Sequence, residues 1–206
     1  MPPKTTTPTK KLIEIVAGPN GSGKTTFAES YFLRTKQNSV FLNPDLIASG
    51  IAPLDFEKAS FQAGRVLITE IKNQLAKGTS FSFESTLSGR TWAHLLNEAN
   101  SLEYEVIIYF LYLDNVKKNI GRIKKRVQMG GHNIPTESVH RRHPRCFENF
   151  WNLYRPLATE WHIFNNSGKS PKKLMSRQEF ELLPLKQQEL FIKSFSQGKV
   201  YDFSRK

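Results

Sequence analysis

The sequence predicts an α/β fold: a parallel five-stranded sheet flanked by helices, with a helical lid. Three observations carry that expectation. Five short runs of apolar character, at 12–17, 39–43, 80–83, 106–113 and 161–165, alternate with stretches of helical character. The runs are near-continuous rather than alternating, which is what parallel strands covered on both faces require. The first of them ends in Gly18-Pro19-Asn20-Gly21-Ser22-Gly23-Lys24-Thr25, which fills every position of G-x-x-x-x-G-K-[ST] and narrows the fold to the P-loop NTPase and kinase type.

Taken in order, residues 1–11 are Pro, Thr and Lys with little apolar content, so they read as a loose tail rather than a signal peptide. Residues 12–17 (LIEIVA) are rich in Ile and Val and lead into the glycine turn, and 23–33 suits the helix that follows. The second strand, 39–43, delivers Asn43-Pro44-Asp45. In 56–77, Ala63, Val66, Leu67, Ile71 and Leu75 recur at helical spacing, and Gly78 stops the helix. The third strand, 80–83, precedes Glu84-Ser85-Thr86, and a helix is expected at 92–101. Residues 106–113 form the longest apolar run, far below the roughly 18 to 20 residues of a membrane span. Helices at 116–128 and 137–154, parted by Gly130 and Gly131, make a lid over about 116–155. After the fifth strand the kinase domain (12–168) continues into an extension at 169–206. There 174–176 reads as a further short strand and 179–197 as a helix carrying Leu182, Leu190, Ile192 and Phe195.

Composition excludes several classes. A chain of 206 residues with 38% hydrophobic and 23% charged residues is globular rather than disordered. The single cysteine, Cys146, cannot form an internal disulfide and reads as a buried, inert thiol in a reducing, cytoplasmic setting. Thirty Lys and Arg against eighteen Asp and Glu give +12, which calls for an anionic partner. The excess is local: residues 117–145 hold nine Lys or Arg against Glu137 alone, whereas 12–116 hold eight basic and eleven acidic groups. Such a run is either a solvated helix face or a surface for phosphates.

The glycine turn explains what the phosphates belong to. Glycines let backbone N–H groups wrap an anion, and the following helix turns its positive dipole end toward it. Residues Gly18 to Thr26 would therefore cradle ATP, with Lys24 on the β and γ phosphates and the Thr25 hydroxyl on Mg²⁺.

Phosphoryl transfer further needs a group for the acceptor hydroxyl and positive charge for the transferred phosphoryl. Asp45 and Glu84 each follow a strand, at the carboxyl edge where such folds bind ligands. Asp45 is either the base or a helix cap, and Glu84 either serves metal-bound water and substrate with Thr86 or pairs with an arginine. In the lid, Arg122 and Arg126 are four apart on one helical face, with Ile120, Ile123 and Val127 on another. Arg141 and Arg145 repeat the spacing beside Arg142. Closure would bring these guanidinium groups to the transition state. His132, His140 and His143 lack the clustered partners of a metal site.

These residues resemble the zeta toxin family of P-loop kinases, over about 13–168. The likeness runs through GPNGSGKTT at 18–26, NPDLIA at 43–48, AGR at 63–65, FSFESTLSGR at 81–90, RIKKRVQMGGHNIP at 122–135, RR at 141–142 and FNNSG at 164–168. The resemblance implies an ATP- and Mg²⁺-dependent kinase of a small metabolite, the best-known members phosphorylating a sugar hydroxyl of UDP-N-acetylglucosamine. It implies that Asp45 is the base, that Glu84 and Thr86, with Asn43, Arg65 and Arg90, hold the substrate, and that Lys24 with Arg122, Arg126, Arg141 and Arg142 acts on the phosphates. An antitoxin protein is the implied partner. The Gly-Gly-His-Asn-Ile-Pro lid turn departs from the best-known members.

Two other readings stand beside it. The charge would suit a polynucleotide kinase, although no basic sheet rich in aromatics offers itself for stacking single strands. The third reading is a nucleotide-driven switch without an acceptor, and the absence of an Asn-Lys-x-Asp run argues against a GTPase.

Overall fold

The computed structural model describes residues 10–35, 40–52, 56–198 and 200, so the loose tail lies outside the described residues except for Lys10 and Lys11. Strand β1 (Leu12–Ala17) is buried beyond its first residue. Around it stand β2 (Val40–Leu42), β3 (Phe81–Ser85), β4 (Glu105–Tyr112), β5 (Glu160–Asn165) and β6 (Lys172–Ser176), in the order β2-β3-β1-β4-β5-β6. The first five are parallel, as expected. The sheet has six strands rather than five, because β6 returns antiparallel along β5. Its connection from β5 is too short for a crossover, so antiparallel pairing is the only option. Its exposed Lys172 and Lys173 also blunt the free edge.

The connections from β1 and β3 leave in opposite directions: from β1 the chain crosses past the place of β3 to the edge at β2, returns to β3, and then passes to β4 and β5 on the other side of β1. The carboxyl end of β1 is therefore the switch point at which doubly wound sheets bind ligands. Val16 is level with Glu84 on β3 and Tyr109 on β4, which puts the glycine turn and Glu84 on the same edge.

Helices α1 (Lys24–Thr35), α2 (Pro44–Ile51), α3 (Phe56–Lys77), α4 (Thr91–Ser101), α5 (Val116–Gln128), α6 (Thr136–Asn149), α7 (Arg177–Glu181) and α8 (Leu185–Ser196) cover the sheet. On α3, Ala63, Leu67, Ile71 and Leu75 are buried, whereas Val66 is 47% exposed and lies off the buried stripe. On α5, Ile123 is buried and Val127 exposed. The helix expected at 137–154 is instead α6 followed by a π turn (Phe150–Tyr154) and a 3₁₀ turn (Arg155–Leu157). The wider π turn sends Phe150, Trp151 and Tyr154 inward together.

The C-terminal helix is also broken. Ser176 and Glu179 form a capping box that starts α7, and Pro184 separates it from α8. The break resets the register, so Phe180, Phe191 and Phe195 face the core while Leu182 is 78% and Leu190 43% exposed. One sheet face carries Ile13, Ile15, Phe81, Phe83 and Phe110 beneath a bed of aromatic rings. Phe195 lies within 5.1 to 6.0 Å, centroid to centroid, of Phe147, Phe110, Phe150, Trp151 and Phe191. Phe195→Ala should therefore cost about 3–5 kcal/mol of unfolding free energy in a denaturant titration. Cys146 is buried in the same layer, where burial pushes its thiol up to about 12 and leaves it a poor nucleophile. On the opposite face Phe27 and Tyr31 pack α1 against Tyr109, aiming its N-terminus at the edge where β1 ends.

Candidate active site

The turn after β1 is shaped for close backbone approach. Gly18 has φ +136°, and a Cβ there would stand 1.9 Å from the Leu111 carbonyl oxygen. Gly23 has φ +88°, with Asn166 Nδ2 2.5 Å from where a Cβ would be. Only glycine meets both demands. The Gly18 N–H donates to the Ser85 carbonyl at 3.2 Å, tying the turn to the end of β3. Over it opens a cavity of about 660 Å³, within the usual range for small-molecule sites. Its lining includes Asn20, Gly21, Gly23, Lys24, Thr25 and Thr26 of the turn and the start of α1, together with Asp45, Glu84, Arg122 and Arg126. Gly18, Pro19 and Ser22 lie buried beneath.

Asn43 decides what Asp45 can do. Its Oδ1 accepts from the backbone N–H groups of Asp45 at 2.8 Å and Leu46 at 3.2 Å, so Asn43 is the cap of α2 and Pro44 its first residue. The Asp45 carboxylate is thereby left for the cavity. Its Oδ2 lies 3.2 Å from His132 Nε2 and 3.9 Å from Arg126 Nη1. Burial acts to raise the Asp45 carboxyl, but the His132 hydrogen bond and the charges of His132, Lys24 and Arg126 outweigh it and hold it below the usual range.

Glu84 has a different setting. It is 6% exposed, and its Oε2 accepts from Thr25 Oγ1 at 2.8 Å and Asn43 Nδ2 at 2.5 Å. Burial pushes its carboxyl up, against the pull of Lys24 and the Thr25 hydrogen bond, with Asp45 and Glu29 adding to the rise. The two carboxylates thus differ: Asp45 is the one kept ionised and half open to a ligand.

The lid helix is fastened to the phosphate turn. Asn119 Nδ2 donates to the Asn20 carbonyl at 2.8 Å, Arg122 Nη2 to the Asn166 carbonyl at 2.7 Å, and Asn166 Nδ2 to the Ser22 carbonyl at 2.8 Å. Arg126 Nε is buried without an acceptor among the described residues, a donor placed beside the cavity for an oxyanion.

Not every expected residue is gathered here. Thr86 bonds Ser88 at 2.8 Å, Arg65 lies over the Phe61 ring at 4.7 Å and Arg90 is exposed before α4; none of the three lines the cavity. Arg141, Arg142 and Arg145 lie on α6 outside its lining, so of the nine cations at 117–145 only Arg122, Lys125 and Arg126 reach it. Asn119 and Asn166 were not singled out in the sequence, and His132 was weighed there only as a metal ligand. Asn166 follows β5 at the carboxyl edge, the criterion that selected Asp45 and Glu84. Asn119 precedes Arg122 by one helical turn. His132 carried no comparable signal, since only folding brings it to Asp45.

The donor set fits Mg²⁺. The Thr25 hydroxyl gives its hydrogen to Glu84 and keeps oxygen lone pairs for a cation, and Glu84 can accept from a metal-bound water. Among the described residues no group of three or more His, Cys, Asp or Glu forms a metal cluster. No described helix is long and apolar enough to cross a membrane.

Comparison with known proteins agrees with this architecture. An uncharacterized protein of Haemophilus influenzae is 31% identical over 126 residues, covering 61% of this chain and 88% of its own. A structure from the PezAT chromosomal toxin-antitoxin system of Streptococcus pneumoniae superposes with a TM-score of 0.65 at 13% identity, covering 96% of this chain and 83% of that one. The AvrRxo1-ORF1:-ORF2 complex with ATP gives 0.61 at 15% identity, over 82% of this chain and 59% of that one. At these identities the structural likeness speaks for the fold. A sequence model described as zeta toxin matches residues 2–170, and on that match, together with a P-loop fold and a kinase-like site, the chain belongs to the zeta toxin family.

Proposed function

We propose that the protein is an ATP-dependent phosphotransferase that moves the γ-phosphate to a hydroxyl of a small metabolite, with a UDP-activated amino sugar as the first acceptor to test. The observation that carries this reading is the separation of roles within one cavity. The glycine turn and Asp45 line the same cavity, and the Asp45 carboxylate, held below its usual range, has no capping duty to occupy it. Lys24 and the backbone of the turn bind the triphosphate. Bound Mg²⁺ supplies charge neutralisation on the phosphates, with Thr25 and Glu84 placed to hold it and its water. Asp45 accepts the hydroxyl proton as the oxygen attacks, and Arg122 and Arg126 face the charge on the transferred group. Asn119 on α5 bonds the Asn20 carbonyl, and Asn166, whose own carbonyl accepts from Arg122, bonds the Ser22 carbonyl, so these arginines keep register with the turn.

Arg141 and Arg142 enter this scheme only through a further movement of α6, and Thr86, Arg65 and Arg90, which the family's pattern would put on the acceptor, stand outside the cavity lining, while Asn43 serves indirectly by capping α2. An antitoxin protein partner follows from family membership, the pneumococcal likeness being part of a toxin-antitoxin system.

The experiment is incubation with γ-labelled ATP and Mg²⁺ against UDP-N-acetylglucosamine, free N-acetylglucosamine and a single-stranded oligonucleotide. Label on the UDP sugar is the expected result. Label on the oligonucleotide, with affinity falling steeply between 50 and 200 mM salt by counterion release, would replace it with a polynucleotide kinase.

A further inference from the structure

The turn between α5 and α6 folds back onto the lid arginine. The Gly131 N–H donates to the Arg126 carbonyl at 2.9 Å, and a Cβ on Gly131 would stand 2.6 Å from Arg126 Cγ, so the turn packs directly on that side chain. Arg126 Nη2 donates to the His132 carbonyl at 3.1 Å. The His132 ring, only 14% exposed, then places Nε2 3.0 Å from Arg126 Nη2 and 3.2 Å from Asp45 Oδ2.

These two neighbours make opposite demands. A guanidinium only donates and an ionised carboxylate only accepts, so one ring nitrogen cannot satisfy both. Without a hydrogen, Nε2 spends its one lone pair accepting from Arg126 and has nothing with which to hold the carboxylate. With a hydrogen, it donates to Asp45. We propose that His132 is a positioning residue for Asp45: a hydrogen on Nε2 holds Oδ2, fixes the carboxylate against the lid turn and leaves Oδ1 for the acceptor hydroxyl. The same hydrogen releases Nη2 of Arg126 from the ring, so Arg126 keeps its carbonyl contact and is freed toward the cavity. The lid turn and the base are then set together by one proton position. Besides His132, the charged groups acting on Asp45 are Lys24 from α1 and Arg126 from α5, with Glu84 from β3 nearby.

The catalytic consequence rests on the phosphotransferase reading; the contact itself does not, and the test separates them. The Asp45 carboxyl carbon is followed by ¹³C NMR through an acid titration of wild type, His132→Ala and His132→Gln, its signal assigned by loss in Asp45→Asn. Removing a partner that favours the ionised form should move the Asp45 midpoint to higher pH in His132→Ala. The neutral donor of His132→Gln should return it part of the way. In transfer assays kcat should fall on the order of 10- to 100-fold in His132→Ala at unchanged KM for ATP and recover in His132→Gln. A midpoint unmoved in both variants overturns the proposal whatever the activity, and so does a moved midpoint with wild-type kcat in His132→Ala. A moved midpoint in a chain that phosphorylates no acceptor leaves the hold on Asp45 standing and removes the phosphotransferase reading instead.

Discussion

Asp45→Asn should retain ATP binding and lose roughly 10² to 10⁴ in the rate of phosphoryl transfer. The substitution is nearly isosteric, and the cap of α2 is supplied by Asn43, so the fold should be unaffected. Lys24 and the glycine turn, the proposed triphosphate site, are untouched. What disappears is, among the described residues lining the cavity, the half-exposed carboxylate held below its usual range, which is the proposed acceptor for the hydroxyl proton. The wild-type pH profile should carry the matching signature. Asp45 works ionised, and its carboxyl is held below the usual range, so activity should persist as pH falls through that range and decline only below it. A wild-type rate in Asp45→Asn would remove Asp45 from the chemistry.

The second large effect is structural and should abolish nucleotide binding. In Gly18→Ala the new methyl would stand 1.9 Å from the Leu111 carbonyl oxygen, a backbone atom of the central strand β4 that cannot swing away. The φ of +136° adds strain of about 1–3 kcal/mol for a non-glycine residue. Overpacking contributes about 1–3 kcal/mol more. Relief requires moving the turn off the sheet end, which breaks the Gly18 to Ser85 bond and displaces the N–H groups that face the phosphates. Thermal denaturation should show a lowered midpoint, and calorimetric titration with ATP should show no binding. Gly64 offers the contrast, since nothing lies within 4 Å of a Cβ built there and its alanine variant should bind ATP normally.

Much of this site could be read from local sequence because its parts lie at strand ends. The turn at 18–25, Asp45 and Glu84 each follow an apolar run, and a parallel sheet delivers the ends of such runs to one edge. The limits of helices α3 and α5 were legible because an apolar periodicity ran along each and a glycine stands shortly past its end, although Val66 and Val127 in those patterns are exposed. Features that depend on tertiary packing were not. Of the expected apolar positions only Phe195 is buried; Leu182, Leu190 and Ile192 are exposed and Phe180 and Phe191 face the core instead, with Pro184 breaking the single helix that the sequence suggested. The meeting of His132 with Asp45 joins residues far apart in sequence through the fold of the lid turn, and no spacing rule announces it. Likewise, Arg122 and Arg141 carry the same i,i+4 pattern, yet only the α5 pair faces the cavity.

The account stands or falls on whether Asp45 and the glycine turn serve one transfer reaction. Wild-type protein, Asp45→Asn and Lys24→Ala are each incubated with γ-labelled ATP, Mg²⁺ and a metabolite extract, and the labelled products are separated. The account predicts a labelled metabolite with wild type, its near absence with Asp45→Asn despite intact ATP binding, and none with Lys24→Ala. Equal labelling by wild type and Asp45→Asn, or release of the label only as inorganic phosphate, would contradict it.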